Sequence, residues 1–294
     1  MPIPSEHVPV ALADLTAPEM RNLYAQAHAR YVLMEVEEDP TNFPAFDAVL
    51  DDKVTFAAYG LLACGCSLIE QDQRADGARI LEQSASLLEY VHGHASAESR
   101  ESGFHRFVSG MALYAAGHYS RAFVVIGDME AYTPATRIIA AFLRKDVGAL
   151  VERLNEVLLR ETPHFEDQIE LDEWALTIAT ARAVALALEF ALTGRDELLV
   201  SANDQLESAS IIASTGRHPA WWWIIRLLRL MLTDLRAASP WHVLPPFFGP
   251  GSAELLGTYT RLLAFGRPPL VELWTSQRAA LPLALSSTNR GAVL

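Results

Sequence analysis

Four short breaks constrain this chain more than any other feature. They fall at Gln71-Asp72, Gly117-His118, Lys145-Asp146 and Thr193-Gly194, and each separates two long stretches whose apolar residues recur at helical spacing. The spacing predicts helices over 52–70 and 73–92, 100–116 and 119–130, 135–144 and 147–160, and 170–192 and 196–214. Turns this short force neighbouring helices to run antiparallel, and consecutive hairpins stack into an array. Strand signals are nearly absent from this part of the chain. The expected fold class is therefore all-α, an antiparallel helix-hairpin array.

Before the first hairpin, Thr16-Ala17-Pro18-Glu19 has the form of a capping box with proline in the first turn. Met20, Leu23, Tyr24, Ala27, Tyr31 and Met34 then follow helical spacing, and NFPAF at 42–46 reads as a loop. The array is expected to end near Ala237. Ser239 to Ser252 holds four prolines and two glycines, a composition that a helix interior does not tolerate. A further helix follows, with Ser252 as its cap and Gly266 as its stop. The expected division is an array over 1–237, a linker over 238–252, and a helix with a different C-terminal segment over 253–294.

With 294 residues, 51% of them apolar, the chain can bury one or two cores. Its charge is uneven. Residues 1–214 hold 15 Lys and Arg against 33 Asp and Glu, a net of −18, whereas residues 215–294 hold eight Arg against three acids, a net of +5. The acidic part should repel nucleic acid and anionic lipid, while the last eighty residues could lie beside nucleic acid or simply complement helix ends. Cys64 and Cys66 are the two cysteines, too few for a disulfide scaffold and too closely spaced for a zinc knuckle, so both are expected as buried thiols. No signal peptide is visible, and no apolar run approaches the ~20 residues of a membrane span. Trp221 to Met231, the longest candidate, is interrupted by Arg226 and Arg229. A cytoplasmic location without membrane contact is expected.

The second hairpin resembles a tetratricopeptide repeat. Gly110 stands where the two helices of a repeat meet, Gly117 and Tyr119 shape the turn, Ala122 is the small residue on the second helix, and Pro134 closes the unit. Arg106 occupies the place of the first consensus aromatic, and the other pairs match in shape more than in letters.

Residues 269–285 read as a proline-started loop, a glutamine-bearing turn and a short helix, and an apolar run at Ala292, Val293 and Leu294 begins a buried strand. This order resembles the opening of the motor core of superfamily-2 DExH/DEAD-box helicases. In that family a Leu-aromatic-x-x-Gln element, the Q motif, leads to a helix and then to a strand that delivers the phosphate loop. The matching residues are Leu273, Trp274 and Gln277, with Thr275-Ser276 where related sequences often carry proline. A carboxamide offers an acceptor and a donor side by side, complementary to the N6 and N7 edge of adenine. The resemblance therefore implies that Gln277 selects ATP and that Trp274 lends an apolar face beside the base. The alternative is that Gln277 merely caps a helix and Trp274 fills core. No G-x-x-x-x-G-K-[ST] occurs in the 294 residues. The resemblance thus implies a sequence that stops just before the phosphate loop, with ATP and Mg bound in the full-length chain and no hydrolysis by this part alone.

Trp221, Trp222 and Trp223 follow Arg217 and precede Arg226 and Arg229. Consecutive helical residues point about 100° apart, so the three indoles cannot share one face. They could stack on single-stranded bases with help from the arginines, or pack the array against a neighbouring domain. His92, His94, His105 and His118 lack the ligand spacing of a structural zinc site, and no metal is expected. Glu166-Asp167 and Asp172-Glu173 suit a helix N-terminus.

Two functions follow. The first is an N-terminal accessory, partner-binding region of an ATP-dependent nucleic-acid helicase. The helicase resemblance implies bacterial antiphage defence as its setting, a protein partner such as a nuclease on the array, and DNA or RNA on the motor that follows. The second is a free-standing tetratricopeptide-like adaptor, with 269–294 as a docked tail.

Overall fold

A computed structural model describes residues 5–36, 49–94, 99–127, 133–248, 251–266 and 269–284. The expected loop at 42–46, the end of the helix at 128–130 and the strand at Ala292, Val293 and Leu294 lie outside the described residues. Among the described residues the regular structure is helical throughout, with no strand. The chain divides into two compact units, Met1–Tyr132 and Thr133–Leu294.

The first unit comprises α1 (Val8–Leu15), α2 (Pro18–Val36), α3 (Leu50–Glu70), α4 (Arg74–His92), α5 (Arg100–Ala115) and α6 (Tyr119–Gly127). α3 and α4 form its central hairpin; α1 and α2 pack on them, and α5 and α6 continue the stack. Buried serines tie successive helices: Ser84 on α4 donates to the Ala58 carbonyl on α3 at 2.7 Å, and Ser109 on α5 donates to Ala85 on α4 at 2.9 Å. Each hydroxyl is satisfied inside the core by a free lone pair of a helical carbonyl, which lets the backbones approach closely. One such close approach lies at Gly65 and Gly77, where a Cβ on Gly77 would lie 2.8 Å from the Gly65 carbonyl oxygen.

α1 was not apparent from the sequence. Its presence also changes the role of Thr16, whose hydroxyl donates back to the Leu12 carbonyl at 2.7 Å, closing α1 rather than capping α2. The Tyr24 hydroxyl on α2 donates to Leu15 at 2.7 Å and secures the same end. In the α5–α6 hairpin, Gly110 sits against Ile126 with no room for a side chain, and Ala122 is buried. Cys64 and Cys66 are both buried in α3, as thiols rather than a disulfide.

The second unit comprises α7 (Pro134–Leu143), α8 (Val147–Leu158), α9 (Gln168–Thr193), α10 (Asp196–Thr215), α11 (Pro219–Ala238), α12 (Pro240–Val243), α13 (Ala253–Ala264) and α14 (Thr275–Ala284). α9 is central: α7, α8, α10, α11 and α13 all pack on it. Within the proline-rich stretch a short helix forms because Pro240 occupies its first turn, where no backbone N–H is needed; the Ser239 hydroxyl caps it from the Trp241 amide at 3.2 Å. Ser252 precedes α13 without a side-chain capping bond.

The helix turns share one device. Asp72, Gly117, Lys145, Gly194 and Arg217 each adopt a left-handed conformation at a turn. At three of them the same pair of bonds recurs: Gln73 to Leu68 and Asp72 to Ile69, His118 to Leu113 and Gly117 to Tyr114, Asp146 to Ala141 and Lys145 to Phe142. This is the Schellman arrangement, which satisfies the last carbonyls of a helix while reversing the chain.

Against expectation, α3 and α9 are long and apolar enough to cross a membrane by length and composition. About half of each apolar stretch, 56% and 50%, is buried inside the fold. α3 belongs to the central hairpin of its unit and α9 is the centre of the other, and a helix packed on several sides needs the same composition.

Candidate functional site

The segment that carries Gln277 is built onto the second unit. Residues 269–274 form an irregular segment with a bend at 271–272, and their backbone is held by the Leu270 amide on the Leu263 carbonyl at 2.8 Å and the Leu273 amide on the Ala238 carbonyl at 2.7 Å. Val271 packs with Ala191 and Ala264, while Leu273 and Leu281 pack with Leu244. Between those apolar residues, Glu272 is 3% exposed and its Oε1 lies 3.2 Å from Nζ of Lys145. Burial pushes the Lys145 ammonium below its ordinary range, and the Glu272 carboxylate opposes that shift.

α14 starts directly after Trp274. Gln277 is exposed at its third position, and its Oε1 accepts from the Trp274 amide at 2.8 Å. That bond satisfies one of the N–H groups that a helix start leaves without a partner. Oε1 keeps a second lone pair, and the carboxamide nitrogen remains a donor, so capping and base reading are not exclusive. Trp274 is half-buried. Arg278 reaches the Ala237 carbonyl at 3.5 Å and so adds a second tie to the end of α11.

The tryptophan and arginine group is dispersed. Trp221 is buried at 6% exposure, whereas Trp222 and Trp223 are half-buried with ring centroids 4.7 Å apart, edge to face. The Arg226 guanidinium lies 5.1 Å over Trp222 and is itself buried, and Arg229 pairs with Glu207 on α10 at 2.6 Å. Arg217 is exposed in the turn before α11.

The histidines also separate. His94 pairs with Glu35 at 3.1 Å and His118 with Glu82 at 3.2 Å. His92 and His105 stack at 4.2 Å, with Thr55 on His92 at 3.0 Å and the Tyr59 hydroxyl on His105 at 2.7 Å. Among the described residues no three His, Cys, Asp or Glu are grouped to hold a metal ion.

Two features escaped the sequence. The Lys145–Glu272 pair joins residues far apart in the chain, and no local pattern announces such a pairing. A groove of about 600 Å³ also opens between α7, α8 and the start of α9, bordered by Arg137, Arg153 and Arg160 with Phe165 and Trp174 in its wall. Phe165 and Trp174 flank acidic pairs that serve the helix start: the Asp167 carboxylate caps α9 from the Glu170 amide at 2.9 Å, and Asp172 faces His218 at 3.3 Å. The signal was Phe165 standing nine residues before Trp174 across a stretch dominated by acidic residues.

No family model matches the chain. It is similar to the Hachiman protein HamB of Bacillus cereus. The two are 26% identical over 262 residues, which cover 89% of this chain. The matched region is 23% of HamB, so the chain spans about a quarter of its relative's length.

Proposed function

We propose that this chain is the helical accessory region of an ATP-dependent helicase-related protein of antiphage defence. Similarity to HamB over 89% of the chain but 23% of the relative is the observation that carries this reading, because it is how one module of a much longer protein would match. The resemblance of Leu273, Trp274 and Gln277 to the Q motif supports the motor assignment. In this reading 1–237 is a partner-docking array, 238–252 joins it to the motor, and 253–294 opens the motor domain. The array receives a protein partner, with a nuclease as the candidate class. ATP and Mg belong to the phosphate loop beyond this sequence, and DNA or RNA binds that motor. Gln277 reads adenine, Trp274 lies beside the base, and residues 1–294 alone hydrolyse nothing. The protein works in the cytoplasm without membrane contact.

The test is ATP hydrolysis by the full-length protein with single-stranded nucleic acid present. Gln277→Ala should raise the KM for ATP several-fold with the helical units still folded, and residues 1–294 alone should show no turnover. An unchanged KM would remove Gln277 from the nucleotide site.

A second reading, a tetratricopeptide-like adaptor without a motor, is favoured by the dense anchoring of 269–274 on the second unit. It predicts peptide capture by this chain alone and no nucleotide turnover in any longer form.

A further inference from the structure

The five residues that follow Glu272, Leu273 to Gln277, are the whole of the Q-motif-like element, and the structure gives that element a fixed mooring. Lys145 supplies it from the turn between α7 and α8. Its backbone is left-handed, with φ 57°, and its ammonium lies 4.6 Å from the centroid of the Phe142 ring as well as 3.2 Å from Glu272. Both side chains are largely out of water, at 15% and 3% exposure. Two apolar residues would fill such a position at least as stably; a buried ion pair differs in being directional, because either charge left alone is strongly unfavourable. It therefore selects one placement of this irregular segment over others that apolar packing would also accept.

Packing at this point is not continuous. A hollow of about 340 Å³, lined by Lys145, Gly148, Phe265 and Pro269 among others, lies between the α7–α8 turn and the end of α13. The ion pair bridges the turn to the segment beside that hollow. Downstream, Leu273 is bonded to the end of α11, Trp274 receives the Gln277 cap, and α14 begins, so the placement of Glu272 passes along a short, hydrogen-bonded path to the glutamine.

We infer that Lys145 and Glu272 are positioning residues, whose ion pair sets the pose of Trp274 and Gln277 and couples the α7–α8 turn to nucleotide recognition. The coupling rests on the nucleotide reading above, whereas the mooring itself does not.

Two measurements test the inference separately. In residues 1–294, Glu272→Gln should speed hydrogen exchange of the Leu270 and Leu273 amides at least tenfold while the α3–α6 amides are unchanged. The charge-reversed double variant Lys145→Glu, Glu272→Lys should restore part of the protection. Unchanged exchange in the single variant, or no recovery in the double, overturns the mooring. In the full-length protein, Glu272→Gln should raise the KM for ATP several-fold with a smaller change in kcat, and the double variant should recover it. If Gln277→Ala raises KM and Glu272→Gln does not, the coupling is overturned. If Gln277→Ala itself has no effect, the nucleotide reading has failed and the coupling falls with it, while the exchange result still decides the mooring.

Discussion

Trp241 donates its indole N–H to the carbonyl oxygen of Ala191 across 3.0 Å, joining the proline-rich stretch to the last turn of α9 fifty residues earlier. The ring covers Gly194, where a Cβ would lie 2.6 Å from the indole. Gly194 also has φ +71°, a conformation in which a side chain costs about 1–2 kcal/mol. Gly194→Ala should therefore cost at least about 2 kcal/mol, strain and clash together. Urea denaturation measures it, and in a Trp241→Ala background only the backbone share of about 1–2 kcal/mol should remain. An equal cost in both backgrounds would mean that the indole does not occupy that space.

Arg217 offers the opposite case. It is exposed and left-handed, with φ 58°. Glycine removes the roughly 1–2 kcal/mol penalty of that conformation and adds roughly 0.5–1 kcal/mol of chain entropy. Arg217→Gly should leave the protein as stable or up to about 1 kcal/mol more stable, read as a rise in Tm. Fluorescence anisotropy with a single-stranded oligonucleotide adds the functional readout: weaker binding at low salt would place Arg217 on a nucleic-acid surface, and unchanged binding would leave it a turn residue.

At Gly77 helix propensity and packing conflict. Alanine in a helix interior gains roughly 0.5–1 kcal/mol over glycine. Here its Cβ would meet Ile69 at 2.5 Å and the Gly65 carbonyl oxygen at 2.8 Å, and that oxygen belongs to the backbone of α3. Forcing the two helices apart costs about 1–3 kcal/mol, so packing should win and Gly77→Ala should lower the denaturation midpoint of the first unit. A raised midpoint would show that α3 and α4 are less closely apposed.

The His92–His105 stack makes the first unit sensitive to acid. Burial, with the neighbouring His105 adding to it, holds the His92 imidazole down at about 4, against 6.5 for a free side chain. Burial lowers His105 as well, opposed by Glu101. Other charged neighbours of His92 are Asp51, which favours its protonation, and Arg30, which opposes it. The unfolded chain thus takes up protons first as pH falls. The part of the stability that depends on His92 should be complete above about pH 6.5, decline between 6.5 and 4, and level once folded His92 also protonates. Solvent reaches part of the ring, so the loss attributable to it is on the order of 1–2 kcal/mol. Thermal melts of wild type and His92→Asn across that window should diverge, with the variant flatter; parallel curves would remove His92 as the cause.

What the sequence disclosed was local. Hairpin turns at Asp72, Gly117, Lys145 and Gly194 were visible because a helix stop is written in a few adjacent residues, and each forms where the breaks predicted. A short helix in the last segment was legible too, but it begins at Thr275 and takes in Gln277, which the sequence placed in a turn before it. α1 was missed because Pro9 argues against helix unless it is recognised as a first-turn residue, which also hid α12 behind Pro240. The pairing of Lys145 with Glu272 and the covering of Gly194 by Trp241 depend on folding remote segments together, and no period or spacing encodes them.

The recurring left-handed turn also bears on how such a chain is made. Each hairpin closes through bonds between residues five or fewer apart, so a helix pair can settle soon after it leaves the ribosome. The stretch from Val271 to Leu273 instead needs Ala191, Ala238 and Lys145 already in place before it can lodge. Synthesis from the N-terminus delivers those partners first, so this segment arrives at a berth that is already standing.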